Sequence, residues 1–468
     1  MMDQIRKTPR APGLNFIDIL KAYDKHPVPD YLLIDKSEWL GDEDIPADRY
    51  ITREAYELEK ERIWKRVWQM ACREEEIPEV GDIVTYEICD ISILLVRSAP
   101  DEIRAFHNVC LHQGRRLVDG ACHRKELRCP FHAFTWTIDG KFKSCPSRWD
   151  FPQLDEDNFG LVEVKTGRWG GFVFINMDPD CEALESYLGD LAMHWEKFPL
   201  EERCIAGHIC KIFPANWKVA QEAFMEAYHN YSTHSQFGVY FGGMASDSGQ
   251  YDPMGNYSRA LGQGTADLPL AFIPTPDERL DALPGVGNQE PVERVLQDYP
   301  AEGQDRELIE YELEVRRKVL RETIGDKVDD LTDFEVFGGG YFTVFPNFHP
   351  WWAYDELAYR FRPWGDDPEM CLMETYLLKP FKGERPRPAA TRWLGLDQSH
   401  LEASDLLGRA ARIFDQDEFN IPEVQKGLHN LMHLGRGAML GVYQATKIRH
   451  FHKLWDKWTT SETAPKSD

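Results

Sequence analysis

Two short motifs carry most of the metal-binding chemistry in this chain. Cys110-Leu111-His112 is followed, sixteen residues later, by Cys129-Pro130-Phe131-His132. Each offers one thiolate and one imidazole. Two sulfurs and two nitrogens suit a tetrahedral zinc ion. They also suit a two-iron cluster in which the cysteines hold one iron and the histidines the other.

The split between the motifs separates these options. Zinc fingers usually place two cysteines on one loop and two histidines on a helix. Here each loop carries one of each, as a Rieske [2Fe–2S] centre requires. Gly114 and Pro130 can shape tight loops that let backbone N–H groups approach the sulfurs. A zinc-stabilised, non-catalytic binding protein is the distant alternative.

A one-electron carrier needs an acceptor, and a second constellation offers one. Asn216-Trp217-Lys218 opens a predicted helix that runs on through Glu222, Glu226, His229 and His234. A lone histidine pair on a helix is more often structural than ligating. His229 and His234 stand five apart and converge if the helix ends between them. Glu226 and His229 are three apart and share a helical face. Two histidines and one carboxylate make the facial triad of non-heme Fe(II) oxygenases, which leaves positions open for O₂ and substrate. The carboxylate must come from elsewhere. Asp417 is the best candidate in Phe414-Asp415-Gln416-Asp417-Glu418-Phe419, with Asp415 and Glu418 as alternatives. By charge alone this run reads as a solvated face.

The elements that position these motifs follow from pattern. Runs at 83–88 and 91–97, and strands flanking the cluster loops, predict a small antiparallel β domain over 66–177. Residues 1–65 read as an N-terminal arm and helix belonging to the catalytic domain, and 178–468 as that domain. The fold class is α+β, with the small β domain inserted in a larger domain of antiparallel sheet and helices, helix-grip-like. Residues 238–300 are rich in Gly, Pro, Asp and Ser and read as long loops, a lid or entrance. Helices are expected over 403–414 and 421–429. Net charge is −25 over 468 residues, which excludes the basic face of a nucleic-acid binder. No apolar run of 18 residues is present, and no signal core follows the N-terminus, so a cytoplasmic protein is expected.

Together these residues resemble the catalytic α subunit of Rieske non-heme iron aromatic-ring-hydroxylating oxygenases. The likeness covers about residues 50–455. It includes Glu59-Lys60-Glu61-Arg62-Ile63-Trp64, both cluster loops, Asn216-Trp217-Lys218, the His229/His234 pair, Phe345-Pro346-Asn347 and the Gln416-Asp417 region. The resemblance implies Cys110, His112, Cys129 and His132 as cluster ligands. It implies His229, His234 and Asp417 as ligands of a mononuclear Fe(II). It also implies that Glu226 bridges His132 and His229 across a subunit boundary. Many members have Asp at that position; Glu is found in the quaternary-ammonium monooxygenases of the family.

The implied activity is that of a terminal oxygenase with O₂ as co-substrate. NAD(P)H-derived electrons would come from a separate ferredoxin or reductase, since no nucleotide-binding fingerprint is evident. Hydroxylation or oxidative dealkylation of a small apolar or aromatic substrate is expected, with ring cis-dihydroxylation as the alternative. A homotrimer, with or without a small β subunit, is the implied assembly, with no nucleic acid or membrane partner. The pocket is expected to be apolar, built partly from Phe224, Phe237 and the 238–300 loops, with Asn216 nearby. Asn216 joins Glu226 as a candidate catalytic residue.

Overall fold

The computed structural model describes residues 9–10, 15–234, 249–262, 306–337, 339–408 and 410–460. The chain divides into two compact units. One comprises Glu57–Tyr187 with Pro363–Asp367. The other comprises the described residues of Met1–Tyr56, Leu188–Arg362 and Pro368–Asp468. The first unit is wider at both ends than the expected 66–177.

The smaller unit is antiparallel β. Its strands are β1 (Gln69–Arg73), β2 (Asp82–Ile88), β3 (Ile91–Ala99), β4 (Glu102–His107) and β5 (Cys122–His123), then β6 (Glu126–Arg128), β7 (Thr135–Thr137), β8 (Phe142–Ser144), β9 (Glu163–Trp169) and β10 (Phe172–Asn176). Seven form one sheet in the order β1-β10-β9-β4-β3-β2-β5, and β6-β7-β8 form a second. Ile93, Leu94, Leu95 and Val96 are buried on both faces of β3, so this strand reads as a continuous apolar run and not an alternating one. Cys89-Asp90 closes the β2–β3 hairpin, with Ile88 opposite Ile91 and Cys89 at φ +53°, a turn geometry matched to strand twist. Trp136, fully buried, anchors the core beneath both cluster loops with Leu94, Phe106, Leu127 and Phe134.

The larger unit is built on an eight-stranded sheet. Its strands are β11 (Arg203–Phe213), β12 (Gln250–Met254), β13 (Tyr257–Leu261), β14 (Gly340–Val344), β15 (Phe348–Pro350), β16 (Leu357–Pro363), β17 (Cys371–Pro380) and β18 (Thr391–Leu394). The order is β12-β13-β14-β15-β16-β17-β11-β18. The expected antiparallel sheet has one exception, since β18 runs parallel to β11. The hairpin β12–β13 falls inside the stretch read as loop. Met254 pairs with Tyr257 across Gly255-Asn256, a two-residue turn with Gly255 at φ +63°. Residues 238–248 and 263–300, with Phe237, lie outside the described residues.

Four helices of this unit matter here: α1 (Phe16–Tyr23), α2 (Trp217–Glu222), α3 (Ala410–His433) and α4 (Thr446–Thr460). Helix α4 lies against β12 and β13. Helix α3 runs unbroken through the acidic segment and through Pro422, joining what pattern had separated into two helices. Its buried residues include Ala411, Phe414, Asp417, Ile421, Gln425 and Leu428. That spacing of three and four is one helical stripe, and Asp417 occupies a core position in it. Among the described residues, no helix is long and apolar enough to cross a membrane.

Candidate metal centres

The two cluster loops share one backbone design. Cys110 N–H donates to Arg115 C=O at 2.8 Å, and Gly114 N–H returns to Cys110 C=O at 2.9 Å. Nineteen residues on, Cys129 N–H donates to Phe134 C=O at 2.8 Å, and Ala133 N–H returns to Cys129 C=O at 3.0 Å. Gly114 and Ala133 hold the same place in each loop, at φ +77° and +59°. Glycine takes that left-handed conformation freely; alanine pays roughly 1 kcal/mol for it.

These loops bring the predicted ligands together in pairs. Cys110 and Cys129 meet sulfur to sulfur. The rings of His112 and His132 stand 4.8 Å apart. Burial pushes the Cys110 thiol up, opposed by the N–H groups of His112 and Gln113. The Cys129 thiol ends below its ordinary range: burial raises it, but the N–H groups of His132 and Phe131 and its Cys110 partner outweigh that. Such N–H donors favour thiolate and tune a bound cluster. His112 stacks on Phe134 at 4.7 Å. Its Nδ1 is buried with no hydrogen-bond partner. A buried imidazole nitrogen left bare is costly unless a metal takes it, so the residues fit a two-iron cluster. Phe131 and Trp149 are 62% and 82% exposed, and His132, whose ring lies 3.8 Å from that of Phe131, is exposed as well.

The second site differs from the predicted helix. Asn216 caps α2, its Oδ1 accepting from Lys218 N–H at 3.0 Å. Its Nδ2 donates to Pro368 C=O at 2.7 Å, and its N–H donates to Gln425 Oε1 at 2.9 Å. With these polar groups so engaged and 2% exposure, Asn216 caps the helix. Helix α2 then stops at Glu222. Glu226 lies in non-helical chain, and His229 sits in a short 3₁₀ turn, Tyr228–Tyr231.

The break lets Glu226 act as a local cap. Its carboxylate accepts from Tyr228 N–H, and from His229 N–H at 3.2 Å. It also accepts a hydrogen bond from His229 Nδ1–H at 2.8 Å. His229 Nε2 is left facing Asp417 Oδ1 at 3.7 Å. His234 repeats the arrangement. Its Nδ1 is held by Gln416 Oε1 at 2.8 Å, and its Nε2 is 3.1 Å from Asp417 Oδ1. Both imidazoles thus present Nε2 to one carboxylate while a fixed acceptor holds Nδ1, the outer bond that orients metal-ligating histidines. Burial works against charge on His229, but the Glu226 and Asp417 carboxylates outweigh it and raise its pKa.

His229, His234 and Asp417 place their donor atoms within 4.8 Å of one another, and the donor set of two nitrogens and one oxygen fits a mononuclear iron. The alternatives to Asp417 are engaged elsewhere: Asp415 accepts from Ser399 Oγ, and Glu418 accepts from His400, including its N–H at 3.1 Å. Aromatic rings border the site. Phe224 meets Tyr359, Phe361 and Phe414 at 5.1–5.9 Å.

Comparison with known proteins follows the same division. A family described as the Rieske [2Fe-2S] domain matches residues 67–155. One described as the ring hydroxylating alpha subunit (catalytic domain) matches residues 188–461. The carnitine monooxygenase oxygenase subunit of Escherichia coli (strain K12) is 35% identical over 211 residues, 44% of this chain and 54% of that protein. The glycine betaine monooxygenase oxygenase subunit of Pseudomonas aeruginosa is 30% identical over 195 residues, 41% of this chain and 45% of that one. The chain thus spans about half the length of these curated relatives. The solved structure of the quaternary ammonium Rieske monooxygenase CntA with L-carnitine shares the fold. Its TM-score is 0.59 at 19% identity, covering 90% of this chain and 96% of that one. Naphthalene 1,2-dioxygenase bound to phenanthrene gives 0.60 at 19%, covering 88% and 91%. The chain belongs to the ring-hydroxylating alpha subunits, a family of Rieske non-heme iron oxygenases whose members carry a [2Fe–2S] cluster and a mononuclear iron.

Proposed function

We propose that the chain is the terminal oxygenase of a multicomponent system. It would use O₂ and NAD(P)H-derived electrons, delivered by a ferredoxin or reductase, to hydroxylate or oxidatively dealkylate a small organic substrate. One observation carries this reading. His229 and His234 have their Nδ1 atoms tied to Glu226 and Gln416, and turn Nε2 toward Asp417.

When bound, the cluster supplies single electrons, and the mononuclear iron supplies activation of O₂. Cys110 and Cys129 would hold one cluster iron, and His112 and His132 the other. His229, His234 and Asp417 would hold the mononuclear iron. Glu226 keeps the Nδ1 proton on His229, and Gln416 keeps that of His234, so both rings stay fixed as ligands. Asp417 brings the negative charge. Phe224, Tyr359 and Phe414 give an apolar wall that excludes water and seats the substrate.

The substrate class is drawn from relatives. Their names specify carnitine, glycine betaine and anthranilate. The first two are quaternary ammonium carboxylates, and the third is an aromatic carboxylate. Glu226, where Asp is common in the family, favours N-dealkylation of a quaternary ammonium compound. An aromatic wall suits that cation through its ring faces. The same wall suits a flat ring, which keeps cis-dihydroxylation as the second reading.

A head-to-tail homotrimer accompanies this proposal. Exposed Phe131 and Trp149 lie in the cluster unit, and exposed Phe419, Leu434 and Met439 lie in the other. Exposed apolar side chains in both units suit a heterologous contact that closes into a ring. Turnover under ¹⁸O₂ tests the reaction. One labelled oxygen in a released aldehyde supports dealkylation; two on adjacent ring carbons support the dioxygenase; no label in any product sinks both.

A further inference from the structure

The aromatic wall beside Asp417 continues to a buried amine. Phe414 meets Tyr359 at 5.9 Å, Tyr359 meets Trp351 at 6.4 Å, and Trp351 meets Tyr341 at 5.4 Å. Lys447, in the first turn of α4, places Nζ 3.5 Å from the Tyr341 ring centroid. It donates to Tyr341 C=O at 3.3 Å.

Lys447 is fully buried, yet no carboxylate pairs with it among the described residues. Burial alone holds its pKa well below the ordinary lysine range. Its charge also helps push down the buried His349, which stands against Phe361 at 5.3 Å on the same wall. Two arginines buried in this unit are matched by carboxylates: Arg259 by Asp252 at 2.8 Å, and Arg360 by Glu374 at 2.6 Å. A buried ammonium without a counter-ion is expensive. The Tyr341 carbonyl takes one of its N–H groups and leaves the others for a further acceptor.

We propose that Lys447 is the counter-charge for an acidic group on the substrate, a carboxylate or sulfonate, and so sets which end of the molecule faces Asp417. The acid end lies along the Tyr341–Trp351 stretch, and the rest of the molecule extends toward Tyr359. This rests on the reading that the wall seats a small organic substrate, and it specifies what that substrate must carry. It applies equally to quaternary ammonium and aromatic acids.

The test is calorimetric binding to the holoenzyme without O₂ or electron donor, using trimethylammonioacetate against its methyl ester and benzoate against methyl benzoate. One acid should bind more tightly than its ester by on the order of 10–100-fold, as for a hydrogen bond to a charged group. The preference should vanish in Lys447→Met and return in part in Lys447→Arg. The proposal is overturned if neither acid is preferred over its ester, or if Lys447→Met keeps the preference. Should Lys447→Met fail to fold, Lys447→Gln, which keeps a polar head and removes the charge, is read in its place, and a retained preference there overturns the proposal. Binding is read without turnover, so an inactive enzyme that still prefers acids would sink the oxygenase reading and leave this one standing.

Discussion

His234 places Nδ1 2.8 Å from the side-chain carbonyl of Gln416, while its Nε2 lies 3.1 Å from Asp417. Neighbouring residues of one helix therefore govern both nitrogens of one imidazole. Gln416→Leu removes the acceptor and leaves a buried N–H unsatisfied. Iron affinity, read by chelator competition, should fall about 10–100-fold, the usual cost of losing such a partner. The cluster spectrum should be unchanged. Gln416→Glu keeps an acceptor and should restore most of the affinity.

Glu226 serves His229 in the same way. Glu226→Gln keeps an oxygen for the Nδ1 proton and removes the charge. Iron should stay bound, while reoxidation of a pre-reduced cluster with substrate and O₂ slows by roughly 10–100-fold. Unchanged reoxidation would leave Glu226 as a local cap only.

The acidic run separates by face of α3. Asp417 lies in the buried stripe, whereas Asp415 and Glu418 pair with Ser399 and His400. Asp417→Asn should abolish iron binding. Asp415→Asn should retain iron and cost about 1 kcal/mol in a urea melt, the scale of one lost hydrogen bond.

Much of this site was legible from residue types. The alternating Cys-His loops pointed to the cluster, and the histidine pair pointed to iron. Where helices end was less legible. The segment Ala223–His234 has helical composition, but Glu226 captures the N–H groups of Tyr228 and His229 and competes with the helix. Charge made 415–418 look solvated; the spacing of Ala411, Phe414, Ile421, Gln425 and Leu428 is the signal that would have placed Asp417 inward. Gly255-Asn256, flanked by Tyr251 and Tyr257, could have marked the β12–β13 hairpin. The outer bonds from Gln416 and the burial of Lys447 depend on tertiary contacts between distant segments, which local pattern does not carry.

Buried histidines set an acid limit on stability. Burial pushes His194 down to about 3, helped by Arg259. Burial pushes His450 down to about 4. Both folded values lie below the unfolded value near 6.5. Their contribution is thus complete above that pH and is lost as pH falls from there toward 4 and 3. Each adds a slope of up to about 1.4 kcal/mol per pH unit. Denaturant melts between pH 7 and 4.5 should show it, and His450→Gln should flatten the slope by roughly that one-histidine share.

If two distinct metal centres serve one oxygenase, His229→Ala separates them in a single preparation. Iron content, the electron paramagnetic resonance of the reduced cluster, and product formation are measured on the same preparation. Loss of the mononuclear iron and of product, with the Rieske signal unchanged, is the expected result. Loss of the Rieske signal with mononuclear iron retained, or product formation at the unaltered rate, would contradict it.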